Sequence, residues 1–180
     1  MKKLETKRLI LRPFEERDLN DFYYYAKDLN VGPSAGWPPH ETQAQTMEVI
    51  LRFIAEDNVW ALQEKSSDKV IGSVGIHKDA RRDRNEKIRM IGYALGKEWW
   101  GQGYMTEAVK RVLQYLFEEK EMDLVTVYHF SFNQRSQRVI EKCGFQREGV
   151  LRMASRLYDG SLLDDVCYSI TREEYARNIW

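Results

Sequence analysis

The sequence predicts a mixed α/β domain, a mostly antiparallel sheet flanked by helices with one parallel pair of strands. Three observations predict it. Short runs rich in β-branched and aromatic residues recur along the chain and are separated by turn residues. Two longer segments, residues 41–56 and 105–119, repeat apolar side chains at helical spacing. A helix joins the strand-like run Ile88–Leu95 to the run Leu124–Phe130, and a crossover of that length lets two strands lie parallel. With 180 residues the chain fits one domain spanning 1–180, since domains commonly hold about 100–200 residues.

Each element has its own signal. Residues 6–13 (TKRLILRP) read as a strand stopped by proline. Residues 15–29 space Leu19, Phe22, Tyr23 and Ala26 on one helix face. Residues 31–40 hold three prolines and two glycines and form a loop. Its Trp37 and His40 suit ligand contacts and suit a structural plug equally. Residues 41–56 align Met47, Ile50, Leu51 and Ile54. Residues 58–65 and 70–77 alternate as two strands around the turn 66–69, a hairpin. Residues 78–86 are a charged loop with Arg81, Arg82 and Arg84, read as a solvated turn. Ile88–Leu95 completes a meander.

In residues 105–119, Met105, Ala108, Val109, Val112, Leu113 and Leu116 make a stripe for burial. Leu124–Phe130 is a strand by its β-branched content. Asn133 opens a short helix that ends at Cys143, with Gly144 as its C′ residue. Residues 145–155 and 162–170 form a hairpin. Thr171 and Glu174 have the spacing of a capping box for a last helix.

Composition excludes several classes. Lys+Arg and Asp+Glu both total 28, so the chain lacks the overall basic footprint of a nucleic-acid binder. No apolar run approaches the roughly 18 residues of a membrane span. The basic residues near Met1 have no apolar stretch behind them, which does not fit a secretory leader. Cys143 and Cys167 match no metal or CxxC spacing. They read as free thiols of a reducing, cytoplasmic compartment, and no metal is expected.

The segment Trp99-Trp100-Gly101-Gln102-Gly103-Tyr104-Met105-Thr106-Glu107-Ala108 stands between a strand and a helix. Glycines permit a tight turn with close backbone approach, and a helix start adds N–H donors and partial positive charge. That combination suits a phosphate. A dinucleotide fingerprint would need a third glycine where Thr106 stands, and no lysine follows a glycine in a Walker frame. What remains is G-x-G at a helix start, which also fits a tight turn with no ligand.

A second motif follows at Asn133-Gln134-Arg135-Ser136 and runs to Gly144-Phe145. With G-Y-A-L at 92–95, W-W-G-Q-G-Y-M-T-E-A at 99–108, D-G-S-L-L-D-D at 159–165 and the opening T-K-R-L-I-L-R-P, the chain resembles the GNAT superfamily of N-acetyltransferases. Within it, the chain resembles the branch of ribosomal-protein N-terminal acetyltransferases. The likeness covers nearly the whole chain and implies a GNAT-like fold with a V-shaped cleft between two parallel strands. It implies acetyl-CoA as co-substrate, its pyrophosphate on backbone N–H groups of Gly101, Gln102, Gly103 and Tyr104, flanked by Trp100, Met105 and Thr106. The pantetheine arm would pair with Tyr93, Ala94 and Leu95 like an added strand. Glu98 stands where the family often has Gln or Arg, which puts a negative charge near an anion. The family often dimerises, so a homodimer is a candidate assembly.

Acetyl transfer to an amine needs a proton taken from the ammonium, a stabilised oxyanion and a protonated leaving sulfur. An α-amino group with a pKa of about 7.7–8.0 is partly neutral at pH 7.5, so it asks little of a base. Where many members carry a tyrosine acid, this chain has Ile140. The N-x-x-S form implies Ser136 as the acid, with Asn133 holding the CoA arm, although the pair also suits a plain helix cap. The resemblance implies a carboxylate base two places before Gly92, where related chains often carry glutamate, but this chain has Met90 there. His40 is the first candidate base, ahead of His77, His129, Asp164 and Asp165. Glu107 is read as first-turn helix charge. The acceptor is a protein N-terminus or a small-molecule amine, met by the loops 33–40 and 158–165. The alternative is a non-catalytic acetyl-CoA sensor on the same fold.

Overall fold

The structure is a computed structural model that describes residues 1–82 and 87–177. Part of the charged loop, Arg84 included, lies outside the described residues. Eight strands form one mixed sheet in the order β1-β2-β3-β4-β5-β6-β8-β7. They are β1 (Leu4–Glu5), β2 (Leu9–Pro13), β3 (Val59–Glu64), β4 (Val70–His77), β5 (Ile88–Leu95), β6 (Leu124–Phe130), β7 (Gln146–Arg156) and β8 (Leu162–Thr171). The helices are α1 (Leu19–Ala26), α2 (Gln43–Glu56), α3 (Tyr104–Gln114), α4 (Gln134–Lys142) and α5 (Arg172–Arg177). β5 and β6 pair in parallel through Ile88, Arg89 and Met90 with Leu124, Val125 and Thr126, the relation expected from their helical crossover.

The chain separates into two compact units, Met1–Gly75 with Tyr93–Ala108, and Ile76–Gly92 with Val109–Trp180. In the first, Phe14, Phe22, Tyr25, Ile50 and Ala61 form a buried core against which Trp37 and Trp100 pack. Trp37 is thus a structural plug, and a Cβ on Gly32 would meet its ring at 2.6 Å. In the second, Val112, Leu113 and Leu116 of the crossover helix are buried, as are Val125 and Val127 of β6 and Ile140 of α4. All six residues of the stripe expected in 105–119 are buried. Burying each such aliphatic side chain contributes about 1.5–3 kcal/mol.

Three local expectations differ from the structure. The strand expected over 6–13 begins only at Leu9, as β2, with the short β1 ahead of it, because Thr6 turns the chain by accepting from Leu9 N–H on its hydroxyl at 2.9 Å. The buried face of α2 runs through Thr46, Ile50 and the half-buried Phe53, while Leu51 and Ile54 are exposed. Phe53 stacks near Phe14 and Phe22, at 5.3 and 6.0 Å between centroids, and these contacts rotate the helix away from the face that hydropathy suggests. The regular α-helix of 105–119 ends at Gln114 and continues as a wider π turn over Tyr115–Glu119 with Tyr115, Leu116 and Phe117 buried. The last helix has the expected capping box, with Glu174 N–H donating to Thr171 Oγ1 at 3.2 Å and Thr171 N–H to Glu174 Oε2 at 2.8 Å.

Candidate active site

In the first unit β5 delivers the chain into the glycine turn. Gly96 N–H donates to Ile71 O at 2.8 Å, and a Cβ there would meet the Trp99 ring at 2.8 Å. Trp100 donates its indole N–H to Leu95 O at 2.8 Å, so the Leu95 carbonyl is engaged within the turn. Gly101 and Gly103 have φ of +73° and +82°, the left-handed region open to glycine, and α3 begins at Tyr104. A Cβ on Gly101 would meet nothing within 4 Å, and one on Gly103 would meet only Arg8 Nη2 at 3.6 Å. The two glycines therefore answer to backbone conformation rather than to internal packing. The first backbone bond of the new helix is Glu107 N–H to Gly103 O at 3.0 Å. A helix start presents N–H groups that the helix itself leaves without partners, which suits an anion.

Arg8, from the T-K-R-L-I-L-R-P strand motif, also lies at this turn. Its Nε donates to Glu107 Oε2 at 2.7 Å and its Nη1 to Gln102 O at 3.0 Å, and its guanidinium lies 4.0 Å from the Tyr104 ring centroid. Glu107 also accepts from Thr6 Oγ1 at 2.5 Å and from Arg8 N–H at 2.9 Å. Burial alone would push the Glu107 carboxyl up, but these hydrogen bonds together hold it below its ordinary value. Glu107 thus anchors Arg8 beside the glycine turn, beyond serving as helix-start charge. The Tyr104 hydroxyl donates to Glu64, which lowers the Glu64 carboxyl after the larger effect of Ser67. Glu98 points its carboxylate to the Tyr24 hydroxyl at 2.9 Å.

His40 also belongs to the first unit. It is 7% exposed, its Nδ1 lies 2.9 Å from Thr46 Oγ1, and its ring sits 5.3 Å from the rings of Phe22 and Trp37. Burial, helped by Arg52, lowers its pKa, so the ring is neutral at pH 7.

In the second unit Asn133 caps α4, its Oδ1 accepting from Ser136 N–H at 3.1 Å. That bond is made by the Ser136 amide. Met90 stands beside Thr126 in the β5–β6 register, and Thr126 Oγ1 donates to Asp79 Oδ2 at 2.8 Å. A carboxylate supplied by the charged loop therefore lies on the same cavity wall as Met90. His77 Nε2 would lie 4.0 Å from a Cβ on Gly92. His129 is buried with Nδ1 2.9 Å from Phe130 O. Asp164 accepts from Met153 N–H at 2.8 Å, and Asp165 is fully buried against Arg81 and Ser155. Both cysteines are free, and burial pushes Cys143 up to about 12. Among the described residues no cluster of His, Cys, Asp or Glu is placed to hold a metal, and no helix is long and apolar enough to cross a membrane.

The structure thus gathers Tyr93–Leu95, Trp100–Thr106 and His40 within the first unit, and Asn133 with Ser136 within the second. Residues 8–146 match the family profile described as an acetyltransferase (GNAT) domain. The chain is 30% identical over 182 residues to the uncharacterized N-acetyltransferase p20 of Bacillus licheniformis, across 98% of this chain and 99% of that one. It is 27% identical over 86 residues to the ribosomal protein uS5-alanine N-acetyltransferase of Escherichia coli, across 48% and 44% of the two chains. Among solved structures, a GNAT-family acetyltransferase from Bacillus anthracis superposes with a TM-score of 0.86 at 23% identity, over 96% of this chain and 99% of that one. The microcin C7 self-immunity acetyltransferase MccE, solved with acetyl-CoA and AMP, superposes with a TM-score of 0.81 at 22% identity, over 92% and 93%. This chain belongs to the GNAT acetyltransferase family. It is an N-acetyltransferase, and acetyl-CoA is the acetyl donor of that family.

Proposed function

We propose that the protein transfers acetyl from acetyl-CoA to a primary amine, a protein N-terminus or a small molecule, by direct attack in a ternary complex. The observation that carries this reading is the glycine turn, with Gly101 and Gly103 in the left-handed region, open space at their Cβ positions and Arg8 alongside. In this reading the backbone N–H groups of Gln102, Gly103 and Tyr104 hold the pyrophosphate, and Met105 and Thr106 continue the cradle into α3. Arg8 adds a fixed positive charge. Tyr93 and Ala94 pair with the pantetheine arm, and Leu95 contributes its N–H side because its carbonyl is taken by Trp100.

The amine nitrogen attacks the thioester carbonyl and forms the C–N bond. The C–S bond then breaks, and the sulfur takes a proton from Ser136 Oγ, while Asn133 orients the CoA arm from its cap position. Two protons leave the nitrogen: the ammonium gives one up before attack, and the nitrogen of the tetrahedral intermediate gives up the second, which restores the serine hydroxyl. His40, neutral at pH 7, is the candidate base for the first proton and returns it to solvent, and an acceptor of low pKa reduces the demand on it. The free thiols fit a cytoplasmic protein. A non-catalytic acetyl-CoA sensor is the second reading, favoured by the thioether of Met90 where related chains have a carboxylate.

A screen of peptides, amino acid derivatives, polyamines and aminoglycosides for thiol release from acetyl-CoA tests the proposal. Amine-dependent release with an N-acetylated product is expected. Acetyl-CoA binding without turnover across the whole panel would overturn it in favour of the sensor.

A further inference from the structure

The second unit contains a cavity of about 420 Å³ that no role assigned so far uses. Met90, Val150 and Leu151 give it an apolar side, while Asp79, Arg81, Arg82 and Glu148 give it a charged one. The hydrogen bonding of that charged side is lopsided. Asp79 accepts from Arg81 N–H at 3.0 Å, from Thr126 Oγ1 at 2.8 Å and from Arg82 Nε at 3.2 Å. Glu148 accepts from Arg82 Nη2 at 2.6 Å and from Ser169 Oγ at 2.8 Å. Each wall carboxylate is therefore already paired with Arg82. Asp165 also faces Arg81 but is not among the residues lining the cavity, and it is fully buried.

The guanidiniums are not filled. Each carries five N–H donors. Among the described residues Arg81 spends its side-chain donors on Asp165 alone, and Arg82 spends Nε on Asp79 and Nη2 on Glu148. Both side chains keep about a third of their surface exposed, 32% and 31%. The Arg81 Cζ lies 4.6 Å from the Tyr128 ring centroid, and carboxylates hold one end of each fork. Two pre-oriented guanidiniums with unspent donors in one cavity recognise an oxyanion, and planar forks suit a carboxylate best.

The geometry points to this cavity as the acceptor pocket, and to an acceptor that is a primary amine carrying a carboxylate, held by Arg81 and Arg82 with its chain along Met90. This rests on the acetyl-transfer reading, because Met90 lies three residues before the stretch assigned to the pantetheine arm. Polyamines and aminoglycosides are disfavoured, since they would bring cations to guanidiniums and find the carboxylates already occupied. The carboxylate has two sources, a small amino acid or the acidic side chain of a peptide N-terminus, and both present the same group to the pocket.

Calorimetry in the presence of CoA tests this independently of turnover. The probes are γ-aminobutyrate against its amide, the N-terminal dipeptide Asp-Gly amide against Asn-Gly amide, and spermidine. In at least one pair the carboxylate member is expected to bind about tenfold or more tightly than its amide, the size of one hydrogen bond to a charged group, and more tightly than spermidine. The double variant Arg81→Gln with Asp165→Asn removes one of the two cations without stranding a buried carboxylate and should cut the preference several-fold, with Arg82 left in place. Arg81→Lys, which retains a charge, should leave an intermediate preference and guards against a folding defect. Equal binding within both pairs, no binding by any probe, tighter binding of spermidine, or a preference unchanged in the double variant would overturn the inference. Thiol release measured on the same probes reports separately on acetyl transfer, so failure of that reading and failure of this one are distinguishable.

Discussion

Arg8 and Glu107 lie 99 positions apart in sequence and meet through Arg8 Nε and Glu107 Oε2 at 2.7 Å, with the Arg8 guanidinium over the Tyr104 ring. The pair ties the start of the sheet to the start of α3 and holds a cation beside the glycine turn. Arg8→Ala should weaken acetyl-CoA binding by about tenfold through the lost charge, and lower stability by about 1–3 kcal/mol because Glu107 is left uncompensated. Arg8→Lys should recover part of the affinity but cannot reach Glu107 and Gln102 O together as the guanidinium does. Calorimetry and urea unfolding on the two variants separate these effects.

Acid pH should weaken the first unit through two groups. Glu107 is held below its ordinary value, so its contribution is complete above the unfolded carboxylate pKa and is lost as pH falls below about 4.5 and through the folded value. His40 is lowered by burial, so the unfolded chain takes up its proton first and stability falls as pH drops below about 6.5. Urea midpoints measured from pH 8 to pH 3.5 should therefore decline in two stages. Glu107→Gln should flatten the lower stage, and His40→Asn the upper one.

The element order was legible because strands and helices here announce themselves by local pattern, and the stripe of α3 is a plain example. The buried face of α2 was not, because rings from elsewhere in the first unit, Phe14 and Phe22, decide which way Phe53 points. The glycine turn was visible as spacing, since φ above zero demands glycine. Arg8 was hidden, because nothing in T-K-R-L-I-L-R-P distinguishes one arginine from the next until the fold brings Glu107 to it. Asp79 was hidden for the same reason, sitting in a charged run that reads as solvated although its side chain is only 5% exposed.

Ser136 and Asn133 share one cap but should fail differently. Ser136→Ala keeps the backbone bond to Asn133, so stability and acetyl-CoA affinity should hold while kcat falls, by about 100-fold if the hydroxyl is the proton donor. Asn133→Ala should cost about 0.5–2 kcal/mol of stability by removing the cap. A Ser136→Ala enzyme with unchanged kcat would make that residue a helix-start residue only.

His40→Asn tests the base. If His40 takes the proton, the variant loses the lower limb of the pH profile of kcat/KM and falls in rate by about 100-fold or more. If the ring serves only to seat the loop against Thr46, Phe22 and Trp37, thermal stability falls and the shape of the pH profile is kept.

The central claim is that the turn at Gly101–Gly103 is the acetyl-CoA pyrophosphate cradle, and titration of acetyl-CoA into the Gly103→Val variant tests it most directly. Gly101→Ala, which meets no neighbour within 4 Å, serves as the control for left-handed strain alone, about 1–2 kcal/mol. The predicted result is one acetyl-CoA bound per chain in the native protein, retained binding in Gly101→Ala and no measurable binding in a folded Gly103→Val. Native affinity in Gly103→Val would contradict the account.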